Sequence, residues 1–415
     1  MKNFLKTYMS VIILLAAIII GAIVGIVFKE KAAVLSPLGD IFLNLMFVVI
    51  VPLIFLSIST SISRMKQPKR LGKIMITIIA MFVVTSLVAV FVGLAVAYPV
   101  KLVNPEDGET IKASLEEQDE PLTEEDDQTI LERTVSALTV NDFSKLLSKS
   151  NIIAIIVFSI LFGMAMNMAG EKAKPVEDFL NSAYEVIMKL IKIIMYYAPI
   201  GLGCYFAALI GTFGGSIAVG YAKTFVIYTV VAILFYIIVY TIYALIAGGK
   251  RGVVTFWKNI IPATVTALAT CSSAASIPVN TEASKKMGVS DDIAETMIPL
   301  GTSFHKDGSI IGSVFKIMFL VCLFGTSASI WQIILVALIA NLLITAVPIG
   351  GGTISEMMIL TMMGYPVAAL PILTIIATII DPPATVLNVI GDTSSSMLAA
   401  RIVDGKDWMD KSKKK

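Results

Sequence analysis

In the last third of this 415-residue chain a few polar residues stand out against an apolar background. His305, Lys306 and Asp307 are consecutive, flanked by Gly301 and Gly308, and His305 is the only histidine. Further on, Asp381, Thr385, Asn388 and Asp392 are spaced by four, three and four residues. At about 100° per residue, that spacing puts all four side chains on one face of a helix. Two carboxylates, an amide and a hydroxyl on one face can hold a metal cation, a proton or a substrate ammonium. A lysine or histidine beside them can balance a carboxylate or receive one from a ligand. These residues do not compose an enzyme: there is no nucleophile–histidine–acid arrangement, and no cofactor motif adjoins Lys306. The cysteines Cys204, Cys271 and Cys322 lie in apolar segments and suggest neither a disulfide framework nor a metal site. Cys204 and Cys322 read as core packing.

The elements that must position these groups are membrane helices. The chain is 57% hydrophobic and 15% charged, with a mean hydropathy of +0.87, against about 25% charged residues in an ordinary soluble domain. A spanning helix needs roughly 20 apolar residues, and uncharged stretches of that order run over 9–28, 41–63, 74–100, 152–170, 193–221, 224–249 and 317–355. One such run could be a signal peptide; this many make a polytopic helical membrane protein. Arg64, Lys66, Lys69, Arg70 and Lys73, then Lys250, Arg251 and Lys258, then the lysines from Lys406 to Lys415, fall on one side of the predicted spans. The positive-inside rule puts that side, with Lys2 and Lys6 of the amino terminus, in the cytoplasm. The segment from 104 to about 133 is acidic and poor in apolar residues, and reads as a flexible outer loop.

The first 249 residues read as six spans, and the remainder is interrupted. Residues 259–281 carry a cluster of small polar residues and Pro278 midway. Residues 317–355 exceed one span and are broken by "TAVPIGGGTIS" at 345–355. Both read as re-entrant hairpins, since non-helical backbone at membrane depth is tolerated only beside protein or a water-filled cavity. Paired interrupted segments point to a transporter's binding site. After each hairpin comes a helix with charges that hydrocarbon would not tolerate. The second is expected to start at Asp381, capping ahead of Pro382 and Pro383. Lys306 alone cannot neutralise Asp307, Asp381 and Asp392, so the surplus negative charge calls for a cation. Glu356 reads either as a solvated outer-face residue or as the partner of a lysine.

The order of six spans, hairpin, span, hairpin and span resembles the glutamate/neutral amino acid transporter family, the dicarboxylate/amino acid:cation symporters, over essentially the whole chain. The serine-rich first tip is matched by "CSSAASIP" at 271–278, and the Asn-Met-Asp-Gly-Thr motif by His305, Lys306, Asp307, Gly308 and Ser309. The last-helix pattern is matched by Asp381, Thr385, Asn388, Gly391 and Asp392. The resemblance implies an all-α polytopic membrane protein with eight transmembrane helices and two re-entrant hairpins, working as an elevator in a homotrimer. It divides the chain into scaffold helices at 1–73 and 141–220, transmembrane helices at 74–103, 221–256, 291–325 and 364–402, hairpins at 257–290 and 326–363, an acidic outer loop at 104–140 and a basic tail at 403–415. It implies that Asp381 binds a substrate amino group, and that Thr385, Asn388 and the backbone at Ser272 and Ser273 hold its α-carboxylate. It places coupling cations, sodium or protons, near Gly301, the 305 position, Asp307, Asn388 and Asp392, with Thr85 and Ser86 of "VVTS" contributing. The implied partners are a small amino acid, membrane lipid and two further copies of the chain, with no nucleic acid and no tightly held cofactor.

Two departures bear on specificity. Acidic-amino-acid members carry an arginine three residues after the aspartate matching Asp381, or at the first tip; here Ala384 and Cys271 stand there. Without arginine's planar fork, a neutral amino acid is the expected substrate. The family's methionine is Lys306, which could replace a bound sodium ion and weaken or remove sodium dependence. The competing expectation is that Lys306 takes over the arginine's task, giving a sodium- or proton-coupled symporter of a dicarboxylate or acidic amino acid. A passive channel is the other class considered, but it has no need for an amino-group aspartate beside two hinged tips.

Overall fold

A computed structural model describes residues 2–63, 71–103, 139–148, 151–213, 215–342 and 352–411. The acidic loop, most of the basic stretch from Arg64 to Arg70 and the second hairpin tip lie outside the described residues. The helices are α1 (Lys2–Phe28), α2 (Ser36–Ser63), α3 (Leu71–Ala97), the single turn α4 (Phe143–Leu146), α5 (Ile152–Ala169), α6 (Lys174–Phe213), α7 (Gly215–Leu234), α8 (Tyr240–Thr270), α9 (Ser273–Lys286), α10 (Asp291–Phe304), α11 (Asp307–Leu323), α12 (Ile330–Leu342), α13 (Gly352–Met363), α14 (Leu370–Val403) and the short α15 (Trp408–Lys411). Among the described residues all regular structure is helical.

Among the described residues, three helical segments are long and apolar enough to cross a membrane: Ile76–Ala97, Ile217–Leu268 and Val367–Val403. A fourth is a pair, Val157–Ile194 and Tyr196–Gly211, bent by 51°. Pro199 explains the bend, because its ring removes a backbone donor and clashes with the carbonyl four residues back. The uncharged run at 193–221 is therefore not one span: α6 begins at Lys174 and ends at Phe213, and the next helix starts at Gly215, within the glycine-rich "GTFGGS".

Helices α1, α2, α5 and α6 pack mainly on one another, while α3 and α7 to α14 enclose the polar residues. On α1 the side chains of Ile19, Ile20, Ile23, Ile26 and Val27 are exposed, an apolar face suited to hydrocarbon. The breaks fall at glycines, prolines and small polar residues. Gly248 (φ −141°) and Gly249 (φ 61°) interrupt α8. Cys271, in the left-handed region at φ 46°, and Ser272 separate α8 from α9. Both arms that flank the second tip, α12 and α13, pack together.

Two sequence expectations change here. His305 and Lys306 do not lie in a helix: His305 is extended (φ −119°, ψ 115°) and Lys306 is non-helical (φ −144°, ψ 66°), between α10 and α11. Asp381 does not start a helix either. Its helix begins at Leu370 with Pro371 in the first turn and runs on through Pro382 and Pro383. Packing of α14 against α3, α8 and α11 offsets the backbone bonds that two interior prolines remove.

Candidate functional site

The break between α10 and α11 leaves the first N–H groups of α11 without helical partners. Asn388 of α14 supplies one: its Oδ1 accepts from the backbone N–H of Gly308 (2.9 Å) and Ser309 (3.2 Å), and its Nδ2 donates to Ser309 Oγ (3.1 Å). Gly308 is required by a close approach, since a Cβ there would stand 2.2 Å from the Ala384 carbonyl oxygen. The start of α11 and the middle of α14 thus approach closely, and the Asn388 side-chain amide ties them together.

With the helix broken, the His305 ring turns inward and is fully buried. Nδ1 lies 2.9 Å from Asp392 Oδ1, and Nε2 lies 3.1 Å from Asp307 Oδ1 and 2.7 Å from Thr85 Oγ1. Phe82 of α3 stacks on the ring with centroids 4.6 Å apart. Asp307 Oδ2 accepts from Tyr240 Oη at 3.2 Å, and that hydroxyl also reaches the Leu387 carbonyl at 2.6 Å. Tyr240 was not legible as a site residue. It follows a single π-helical turn, Phe235–Val239, a feature frequent at functional sites. Glycines make the room: a Cβ at Gly301 would meet Asp392 Oδ1 at 2.2 Å, and one at Gly391 would meet Asp307 Oδ2 at 2.8 Å. Thr85, Gly301, His305, Asp307 and Asp392, scattered over some 300 residues of sequence, are brought to one centre. Ser86 is buried next to Thr85, with its Oγ unpaired among the described residues.

Asp381 stands apart from that centre. It is exposed, accepts a long hydrogen bond from Thr385 Oγ1 at 3.4 Å, and takes part in none of the ion pairs among the described residues. The helical face read from the spacing is real, with Thr385, Asn388 and Asp392 buried below Asp381. At the first tip Ser272 caps α9, its Oγ accepting from the Ala275 N–H at 3.2 Å. Cys271, Ser272 and Ser273 are half-buried, and Ala384 is buried.

Two basic side chains stand beside two of the three aspartates. Asp307 and Asp392 face His305, and Lys306, half-buried, acts electrostatically on Asp392. A second buried lysine, Lys316 of α11, lies 2.9 Å from Glu356 of α13, whose other oxygen accepts from Thr374 Oγ1 at 3.2 Å. Glu356 is fully buried, so it is a lysine's partner and not a solvated residue of the outer face. Lys316 and Glu356 balance each other and leave His305 and Lys306 to face the aspartates.

A family model described as the sodium:dicarboxylate symporter family matches residues 10–402. The chain belongs to that family. It is accordingly a multi-pass membrane protein of a transporter family and not an enzyme. Among curated relatives of this symporter, the proton/sodium-glutamate symport protein of Bacillus subtilis is 26% identical over 396 residues, covering 92% of this chain and 90% of its own. The protein of that name from Bacillus caldotenax is 28% identical over 399 residues, covering 92% of each chain. The C4-dicarboxylate transport protein of Rhizobium johnstonii is 30% identical over 397 residues, covering 93% of this chain and 87% of its own.

Proposed function

We propose that this symporter moves a small acidic solute across the cytoplasmic membrane, coupled to a cation, and that the solute is an acidic amino acid. The observation that carries the reading is Asp381: an exposed carboxylate, outside every ion pair among the described residues, beside Thr385 and the polar first tip. A carboxylate left open to water inside an apolar bundle is a partner for a substrate ammonium. That favours an amino acid over a plain dicarboxylate, and relatives named for glutamate support it. Because His305, and not Lys306, lies between Asp307 and Asp392, Lys306 at the mouth of α11 is assigned to the substrate's second carboxylate. Ser272, Ser273, Thr385 and Asn388 are assigned to the α-carboxylate side. In the same reading α1, α2, α5 and α6 form the scaffold of a homotrimer, and the two hairpins with α11 and α14 form the travelling unit, with both termini cytoplasmic.

A neutral amino acid remains the second reading, for one reason: Ala384 and Cys271 occupy both positions from which an arginine would clamp a side-chain carboxylate.

The test is thermal unfolding of the purified protein against glutamate, aspartate, neutral amino acids and C4-dicarboxylates, each in sodium chloride and in choline chloride. A bound ligand raises apparent stability by mass action. Stabilisation by glutamate or aspartate supports the proposal. Stabilisation by neutral amino acids alone moves the assignment to the second reading. A response confined to C4-dicarboxylates overturns the ammonium role of Asp381.

A further inference from the structure

We propose that His305, held as an imidazolium between Asp307 and Asp392, is itself the cation of this centre, and that a sodium ion has no place there. Three of the side chains that the family resemblance assigns to a coupling cation already direct an oxygen at the imidazole. Thr85 Oγ1, Asp307 Oδ1 and Asp392 Oδ1 all lie within 3.1 Å of a ring nitrogen. Three of the oxygens that a metal would need are therefore turned to the His305 ring, and the residues present do not fit the ion; Asp392 Oδ2 and Ser86 Oγ are left without a partner among the described residues.

Proton assignment follows from the neighbours. Thr85 Oγ1 lies 2.8 Å from the Met81 carbonyl, which can only accept. With its hydrogen on that carbonyl, the hydroxyl offers Nε2 a lone pair, and Nε2 then carries a hydrogen. Nδ1 faces a carboxylate oxygen at 2.9 Å, and a bare nitrogen against an ionised Asp392 would set two lone pairs against each other. A neutral imidazole has one N–H; this site has acceptors for two. Phe82 covers the ring face, and Gly301 and Gly391 let the Asp392 and Asp307 side chains close in on it.

Charge tells the same story. Two carboxylates buried without a counter-charge are strongly disfavoured. One imidazolium shared by both, with the Lys306 ammonium acting on Asp392, removes the deficit without an external ion. The inference rests on the transporter reading of this centre and is independent of which substrate is carried.

His305 is the only histidine in the chain, which makes a direct test possible. The full-length protein, purified with a tag free of histidine, is labelled with 15N-histidine and studied by NMR in choline chloride and in sodium chloride. Two protonated ring nitrogens, each coupled to its own hydrogen and unshifted by sodium, are expected. A single bare nitrogen, or ring signals that move as sodium is added, overturns the proposal. A second measurement uses His305→Asn, which leaves both carboxylates and returns an amide oxygen. Sodium chloride, relative to choline chloride, should raise its unfolding temperature by more than it raises that of the unaltered protein. An equal sodium-specific rise in both proteins also overturns the proposal. If the variant does not fold, the NMR result on the unaltered protein decides alone. Neither readout needs substrate, so a wrong substrate assignment leaves both intact.

Discussion

The Lys316 ammonium of α11 lies 2.9 Å from the Glu356 carboxylate of α13, with the two side chains 7% and 1% exposed. This buried pair joins the arm that follows the second tip to the helix that carries Asp307. Removing one partner of such a pair leaves a charge uncompensated in low dielectric and costs about 3–5 kcal/mol, whereas removing both is often close to neutral. Lys316→Met and Glu356→Gln should therefore each lower the unfolding temperature strongly. The double variant should recover most of the loss. A thermal-unfolding double-mutant cycle reads the coupling directly, and additive losses would show that the pair is not a unit.

Asp381→Asn should leave the ligand-free protein about as stable as before, because the side chain is exposed and holds no ion pair. Its effect belongs to binding. Loss of a charge-assisted hydrogen bond of roughly 1.5–3 kcal/mol corresponds to about a ten- to hundredfold weaker amino acid affinity. Calorimetric titration of the two proteins checks this, and an unchanged affinity would remove Asp381 from the site.

Lys306→Met should discriminate among substrates. If the ammonium meets a second substrate carboxylate, glutamate and aspartate lose affinity by about ten- to hundredfold, while any neutral amino acid that binds is little affected. Competition for uptake into proteoliposomes measures the ratio. Equal losses for both classes would mean that Lys306 acts through Asp392 and not through the substrate.

Asn388 has a testable structural task. Asn388→Ala strips the acceptor from the Gly308 and Ser309 N–H groups, and loss of a cap costs about 1–2 kcal/mol. Asn388→Asp keeps an acceptor there and should recover much of the unfolding temperature. No difference between the two variants would argue that the amide is not holding the break.

The order of helices and the polar face of α14 were legible because both are local: length, hydropathy and a spacing of three and four residues suffice. The centre around His305 was only half legible. Nothing in the sequence says which of His305 and Lys306 turns inward, because that depends on a non-helical two-residue break whose geometry is set by Asn388 of another helix. Lys316 escaped notice for a related reason. It sits in an apolar stretch, and its partner lies 40 residues further along the chain, so only folding shows that Glu356 needs it. Asp381–Pro382–Pro383 has the local signature of a helix start, and tertiary packing overrides that signature.

Three points of contact decide how this molecule can deform. A single methyl group added at Gly301, Gly308 or Gly391 would collide with Asp392, Ala384 or Asp307, respectively. Surfaces that close cannot slide past one another, since tightly packed interiors resist compression. Helices α10, α11 and α14 are therefore welded against shear. Any large motion has to be taken up elsewhere, and Gly249, at φ 61° with nothing within 4 Å of where a Cβ would stand, is a place where the chain is free to bend.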